Sequence, residues 1–149
     1  MEEAIRLGTI DELGLVKNIA FRAFSPYLDS IGVRPASLDT DYPKKIEDNV
    51  LYVLSVQGKI VGFVIAYPVD GNMYIEVLAV DPDHHGKGYG SKLLRFAEDL
   101  ASKEKAEAIT LFTCELMTRN IQIYSGFGFV FTHRSEWNGI KRVHMKKVL

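Results

Sequence analysis

Hydrophobic positions change their period several times along the chain, and each change marks an element. Ala4–Leu7 predicts a short first strand. Leu13, Val16, Ala20 and Phe24 fall on one stripe at helical spacing, so a helix runs to about Phe24. Thr9, with Glu12 three residues on, opens it as a capping box, in which each side chain satisfies a free backbone N–H of the other. Lys44–Asn49 predicts a short helix. Val50–Val56 and Lys59–Val69 read as strands around a Gln-Gly turn, and Asp70-Gly71-Asn72 turns the chain into Met73–Val80. An amphipathic helix follows over Gly88–Lys103, with Leu93, Leu94, Ala97, Leu100 and Ala101 on one face. Beyond it come a strand, Ala108–Thr113, a short helix, Met117–Ser125, and a closing hairpin of Phe129–Glu136 with Lys141–Val148. Its turn, Asn138-Gly139, is a strong two-residue hairpin signal.

Ser25–Pro43 breaks the pattern. It holds three prolines, a glycine and no sustained period, and predicts a long connection. Such loops in compact domains are more often functional than idle, which favours a substrate-facing lid over a plain solvated loop. Tyr27 and Asp29 are its candidate substrate contacts. Asp29, Asp39 and Asp41 would suit a cationic substrate, although most surface acids have no such role.

The most informative stretch is Asp81–Leu94, DPDHHGKGYGSKLL. The apolar strand before it stops at Asp81-Pro82, three glycines alternate at Gly86, Gly88 and Gly90, and the amphipathic helix begins. Glycine lets backbone approach an anion, and the first helical N–H groups lack internal partners, so a phosphorylated ligand is expected there. A tight turn with a helix cap is the plainer alternative. A Rossmann fingerprint would need glycine where Ser91 stands, and a Walker A loop would need Lys-Ser/Thr where Ser91-Lys92 stands. The antiparallel strands before the loop also argue against a βαβ nucleotide fold.

Composition narrows the field further. At 149 residues, one domain over 1–149 is expected, with one substantial core. A net charge of −1 gives no electrostatic footprint for nucleic acid or anionic membrane. No apolar run is long enough for a membrane span, and MEEAIRLG has no signal-peptide pattern. The single cysteine, Cys114, rules out an intrachain disulfide and fits a reducing cytoplasm.

Residues 81–94 resemble the pyrophosphate loop of the GNAT (Gcn5-related N-acetyltransferase) family, whose pattern is R/Q-x-x-G-x-G/A. The match is His85-Gly86-Lys87-Gly88-Tyr89-Gly90, with His85 in place of Arg or Gln. The order of elements resembles that fold over nearly the whole chain. It implies a mixed α/β (α+β) acyl-CoA N-acyltransferase fold, with a mostly antiparallel central sheet flanked by helices and strands splayed at the CoA site. Acetyl-CoA is then the cosubstrate, with no metal. Its contacts are Leu78, Ala79, Val80, His85, Gly86, Lys87, Gly88, Tyr89, Gly90 and Ser91, and backbone amides around Val77–Val80 polarise the thioester carbonyl. Glu115-Leu-Met117-Thr-Arg-Asn120 before Tyr124 resembles a subgroup of the family and adds Asn120 as a cofactor contact.

Acyl transfer to an amine needs a base, a stabilised oxyanion and an acid for the departing thiolate. Glu76, in an otherwise apolar strand, is the candidate base, directly or through water, and burial would raise its pKa. A structural ion pair with a neighbouring cation is an equal alternative, which the family's frequent glutamate on this strand tips toward function. Tyr124 is the candidate acid. Tyr124-Ser-Gly-Phe-Gly128-Phe129 resembles the family's Y-x-x-x-G-F signature, against the alternative of a tyrosine buried for packing. Nothing local marks Cys114 as an activated nucleophile, so direct attack by the amine is preferred. His133 and His144 face each other if Asn138-Gly139 is the turn; lacking a third ligand, they read as a cross-strand pair rather than a metal site. Lys141, Arg142, Lys146 and Lys147 read as a solvated basic face. His84 and His85 are expected to flank the phosphates.

The sequence thus reads as an acetyl-CoA-dependent N-acetyltransferase. The acceptor is a primary amine, on a small molecule, a peptide or a protein. The rival is a non-catalytic acetyl-CoA sensor, and a dinucleotide oxidoreductase is a weaker third reading. The resemblance also admits a homodimer paired through C-terminal strands.

Overall fold

The computed structural model describes residues 2–149. Seven strands, β1 (Glu3–Leu7), β2 (Leu51–Val56), β3 (Lys59–Val69), β4 (Asn72–Val80), β5 (Ala108–Cys114), β6 (Val130–Trp137) and β7 (Ile140–Val148), hydrogen-bond in the order β1-β2-β3-β4-β5-β7-β6. The helices are α1 (Leu13–Phe24), α2 (Pro26–Ile31), α3 (Tyr42–Glu47), α4 (Tyr89–Lys103) and α5 (Thr118–Gly126). β4 pairs with β5 in parallel, at Met73–Ile109 and Tyr74–Thr110, and the β1–β2, β2–β3, β5–β7 and β6–β7 pairs are antiparallel.

The chain forms two compact units. One comprises residues 2–66 with Glu76–Phe96, and the other Tyr67–Ile75 with Ala97–Leu149. In the first, Val16 of α1, Leu51, Val53 and Leu54 of β2, Phe63 and Ile65 of β3, and Leu93 and Leu94 of α4 are fully buried. In the second, Met73, Ile109, Leu111, Val143, Met145 and Phe129 are buried. β4 alternates strictly: Met73, Ile75, Val77 and Ala79 are buried, while Tyr74, Glu76, Leu78 and Val80 are half-buried on the other face.

Most predicted boundaries hold within two residues, because turn chemistry fixes them. Gln57 and Gly58, Asp70 and Gly71, and Asn138 and Gly139 each have φ positive at both positions, the geometry of a primed hairpin turn. Two expectations change. Ser25–Pro43 is not one irregular connection. It contains α2, begun by Pro26 and ended by left-handed Gly32, and a 3₁₀ turn at Ala36–Leu38. Six residues are too few to display a helical period. The helix expected at Lys44 begins at Tyr42, because Pro43 is tolerated in a first turn and Asp41 caps it, accepting from the Lys44 N–H at 3.2 Å.

Candidate active site

The glycine loop lies in the first unit. Asp81 ends β4 and anchors the loop: its buried carboxylate accepts from the Asp83 N–H at 2.9 Å and from the Arg22 guanidinium of α1, whose Nη1 lies at 2.9 Å. Burial pushes that carboxyl up, but the Asp83 N–H and Arg22 outweigh it and hold it below the usual range. Gly86 and Gly88 have φ of +79° and +81°, and a Cβ added to either would meet nothing within 4 Å. The loop is therefore bare backbone facing open space, one turn from the free N–H groups that begin α4. That arrangement fits a pyrophosphate. Lys87 is exposed beside it, whereas Tyr89 is buried and Ser91 half-buried at the start of α4. The His85 ring folds back on the strand end, its Nε2–H donating to the Val80 carbonyl at 3.0 Å. His84 tilts against the Tyr89 ring, 6.4 Å between centroids.

One supporting residue carried no sequence signal. A Cβ on Gly62 of β3 would stand 2.8 Å from the Ala79 carbonyl oxygen and 3.3 Å from Leu93 Cδ1. Its bareness lets β3 and α4 close on the end of β4, where Leu78, Ala79 and Val80 sit.

Glu76 is side-chain exposed by only 19% and is held at both oxygens. Lys45 Nζ of α3 lies 2.9 Å from Oε1, and the Thr40 hydroxyl donates to Oε2 at 3.3 Å. Neither partner was named from the sequence: Thr40 arrives from the segment without a period, and Lys45 from the short helix that follows it. Tyr42 is buried beside them and donates to the Ser37 carbonyl at 2.6 Å. Burial, and then the Glu76 charge, push its phenol far up. Thr40 and Tyr42 also line a cavity of about 270 Å³, with Lys17 and Phe21 of α1, Leu28 and Leu38. Tyr27 and Asp29 belong to α2 and are not part of that lining. Of the acids read as a cation site, Asp39 is committed to Arg34 and Asp41 to capping α3.

In the second unit, Tyr124 lies on α5, half-buried, with its ring edge-on to buried Phe129 at 5.8 Å. The Phe127 and Phe129 N–H groups donate to its carbonyl, and Gly128, with φ of +106°, makes that reversal. Asn120 donates from Nδ2 to the Met117 sulfur at 3.6 Å. Cys114 is a free, partly exposed thiol at the end of β5. His133 and His144 face each other as read from the turn, their rings stacked at 4.1 Å. Burial, then His133 and Arg142, push the His144 imidazole down. Among the described residues no group of three or more His, Cys, Asp or Glu is placed to hold a metal, and no helix is long and apolar enough to cross a membrane.

The profile of the acetyltransferase (GNAT) family matches residues 17–129. The chain is 27% identical to S-(2-succino)cysteine N-acetyltransferase of Bacillus subtilis (strain 168), over 100% of this chain and 98% of that protein. Its fold is similar to that of PaiA N-acetyltransferase from Thermoplasma acidophilum in complex with coenzyme A, with a TM-score of 0.83 at 16% identity over 100% of both chains. It is also similar to the ribosomal-protein-S18-alanine N-acetyltransferase of Escherichia coli, with a TM-score of 0.73 at 19% identity over 99% of this chain and 94% of that one. The chain belongs to the GNAT family of acetyltransferases. It is an acyltransferase, with the mixed α/β acetyltransferase fold that the resemblance implied.

Proposed function

We propose that the protein acetylates a small primary amine by direct attack, with Glu76 accepting the amine's proton, directly or through water, and Tyr124 as the acid. Acetyl-CoA supplies the acetyl group as a thioester, whose C–S bond breaks as the C–N bond to the amine forms. The glycine loop would hold its pyrophosphate through backbone N–H groups, with Lys87 adding a positive charge. The N–H groups at the end of β4 would stabilise the developing oxyanion. Tyr124 would donate its phenolic proton to the leaving thiolate as the C–S bond breaks.

The observation that carries this reading is the sequence of parts along one strand. Glu76 stands five residues before Asp81, on an otherwise apolar β4 that runs directly into the open, left-handed glycine loop and α4. The full-length likeness to an enzyme whose name gives an amino-acid derivative as acceptor supports a small amine.

The test is Glu76→Gln. It should lower kcat by about 10²-fold, the usual scale for losing a general base, and leave the affinity for CoA within about twofold of wild type. An unchanged kcat would remove Glu76 from the mechanism.

A further inference from the structure

The cavity beside Thr40 mixes apolar side chains with a small set of charges. Phe21, Leu28 and Leu38 supply the apolar lining, and Ser37 and Thr40 supply hydroxyls. Arg34 and Asp39, also on its lining, cancel each other: Arg34 Nε and Nη2 donate to the two Asp39 oxygens at 2.9 and 2.8 Å. Lys17 has no carboxylate partner among the described residues. The lining therefore holds one uncompensated positive charge. Thr40 ties the cavity to Glu76, lining the one and donating to Oε2 of the other.

We propose that this cavity binds the acceptor, and that the acceptor is a small primary amine bearing a carboxylate, which Lys17 reads while the amine points toward Thr40 and Glu76. This rests on Glu76 serving as the proton acceptor. A purely cationic amine would bring its charge to a wall already positive, with the Glu76 carboxylate already paired to Lys45. A zwitterion with an apolar body satisfies every part of the lining. At about 270 Å³ the volume suits one small molecule and not a folded polypeptide.

The test is calorimetric titration of the full chain, with and without desulfo-CoA, using L-norleucine and L-phenylalanine, each against its carboxamide. The acids should bind about tenfold tighter than the carboxamides, the scale of a hydrogen bond to a charged group. Lys17→Met should abolish most of that preference and Lys17→Arg should keep it, with both variants retaining the wild-type Tm. Equal affinity of acid and carboxamide in the wild type would overturn the proposal, as would an undiminished preference in Lys17→Met. Acetyl transfer is scored separately, by CoASH release. Lys17-dependent binding without release would keep the pocket and sink the transfer reading, whereas release with no preference for the acids would do the reverse.

Discussion

Lys45 Nζ lies 2.9 Å from Oε1 of Glu76, in a pair whose side chains are only 22% and 19% exposed. With Thr40 on the other oxygen, the carboxylate has one fixed orientation. Ion pair and catalytic base are thus compatible readings of the same residue, with the pair aiming the base. Lys45→Met should lower kcat about tenfold, and Lys45→Arg should restore part of it. Loss of the ion pair should also cost about 1–3 kcal/mol in urea unfolding, between the values for exposed and buried pairs. A stability loss with kcat unchanged would leave Lys45 a purely structural partner.

Gly62 and Gly88 are both required, for different reasons. Gly62→Ala places a methyl 2.8 Å from the Ala79 carbonyl, so backbone must move, at about 1–3 kcal/mol. Gly88→Ala meets open space, and its cost is the left-handed φ of +81°, about 1–2 kcal/mol. Both should weaken CoA binding, which calorimetry on the folded variants measures. Undiminished affinity in Gly88→Ala would show that the loop backbone does not form the cradle.

Tyr124→Phe keeps the edge-on contact with Phe129 and removes only the hydroxyl. It should lower kcat by about 10²-fold with little change in CoA affinity, read from steady-state kinetics and calorimetry together. Wild-type kcat in this variant would assign the tyrosine to packing.

The Arg6 guanidinium, bonded to both oxygens of Glu12 at 2.9 and 2.7 Å, holds that carboxyl down from 4.5 to about 2, with the Thr9 N–H contributing. A depressed folded-state pKa means the stabilisation is complete above about pH 4.5 and is lost as pH falls toward about 2. Because Arg6 is half-exposed, the loss should be about 1 kcal/mol. Urea midpoints at about pH 6 and about pH 2.5 should differ less in Glu12→Gln than in wild type. An identical pH dependence would show the pair to be inconsequential.

How far the sequence could be read depended on the range of each signal. The hairpin turns at Gln57-Gly58, Asp70-Gly71 and Asn138-Gly139, the capping pair Thr9 and Glu12, and the glycine loop are local, and their chemistry names them. The His133–His144 facing pair followed from a turn by counting. Lys45, Thr40, Arg22 and Gly62 were silent, because each acts on β4 or its end from 17 to 59 residues away in sequence. α2 escaped because six residues with a proline and two polar positions show no period. The candidate chemistry on β4 and α5 was legible, and what holds it in place was not.

The most direct measurement is CoASH release from acetyl-CoA by the purified chain across a panel of small primary amines, with acetyl-CoA binding followed by calorimetry in parallel. The account predicts binding together with amine-dependent release. Binding with no release for any amine would contradict it and leave a protein that senses acetyl-CoA without using it.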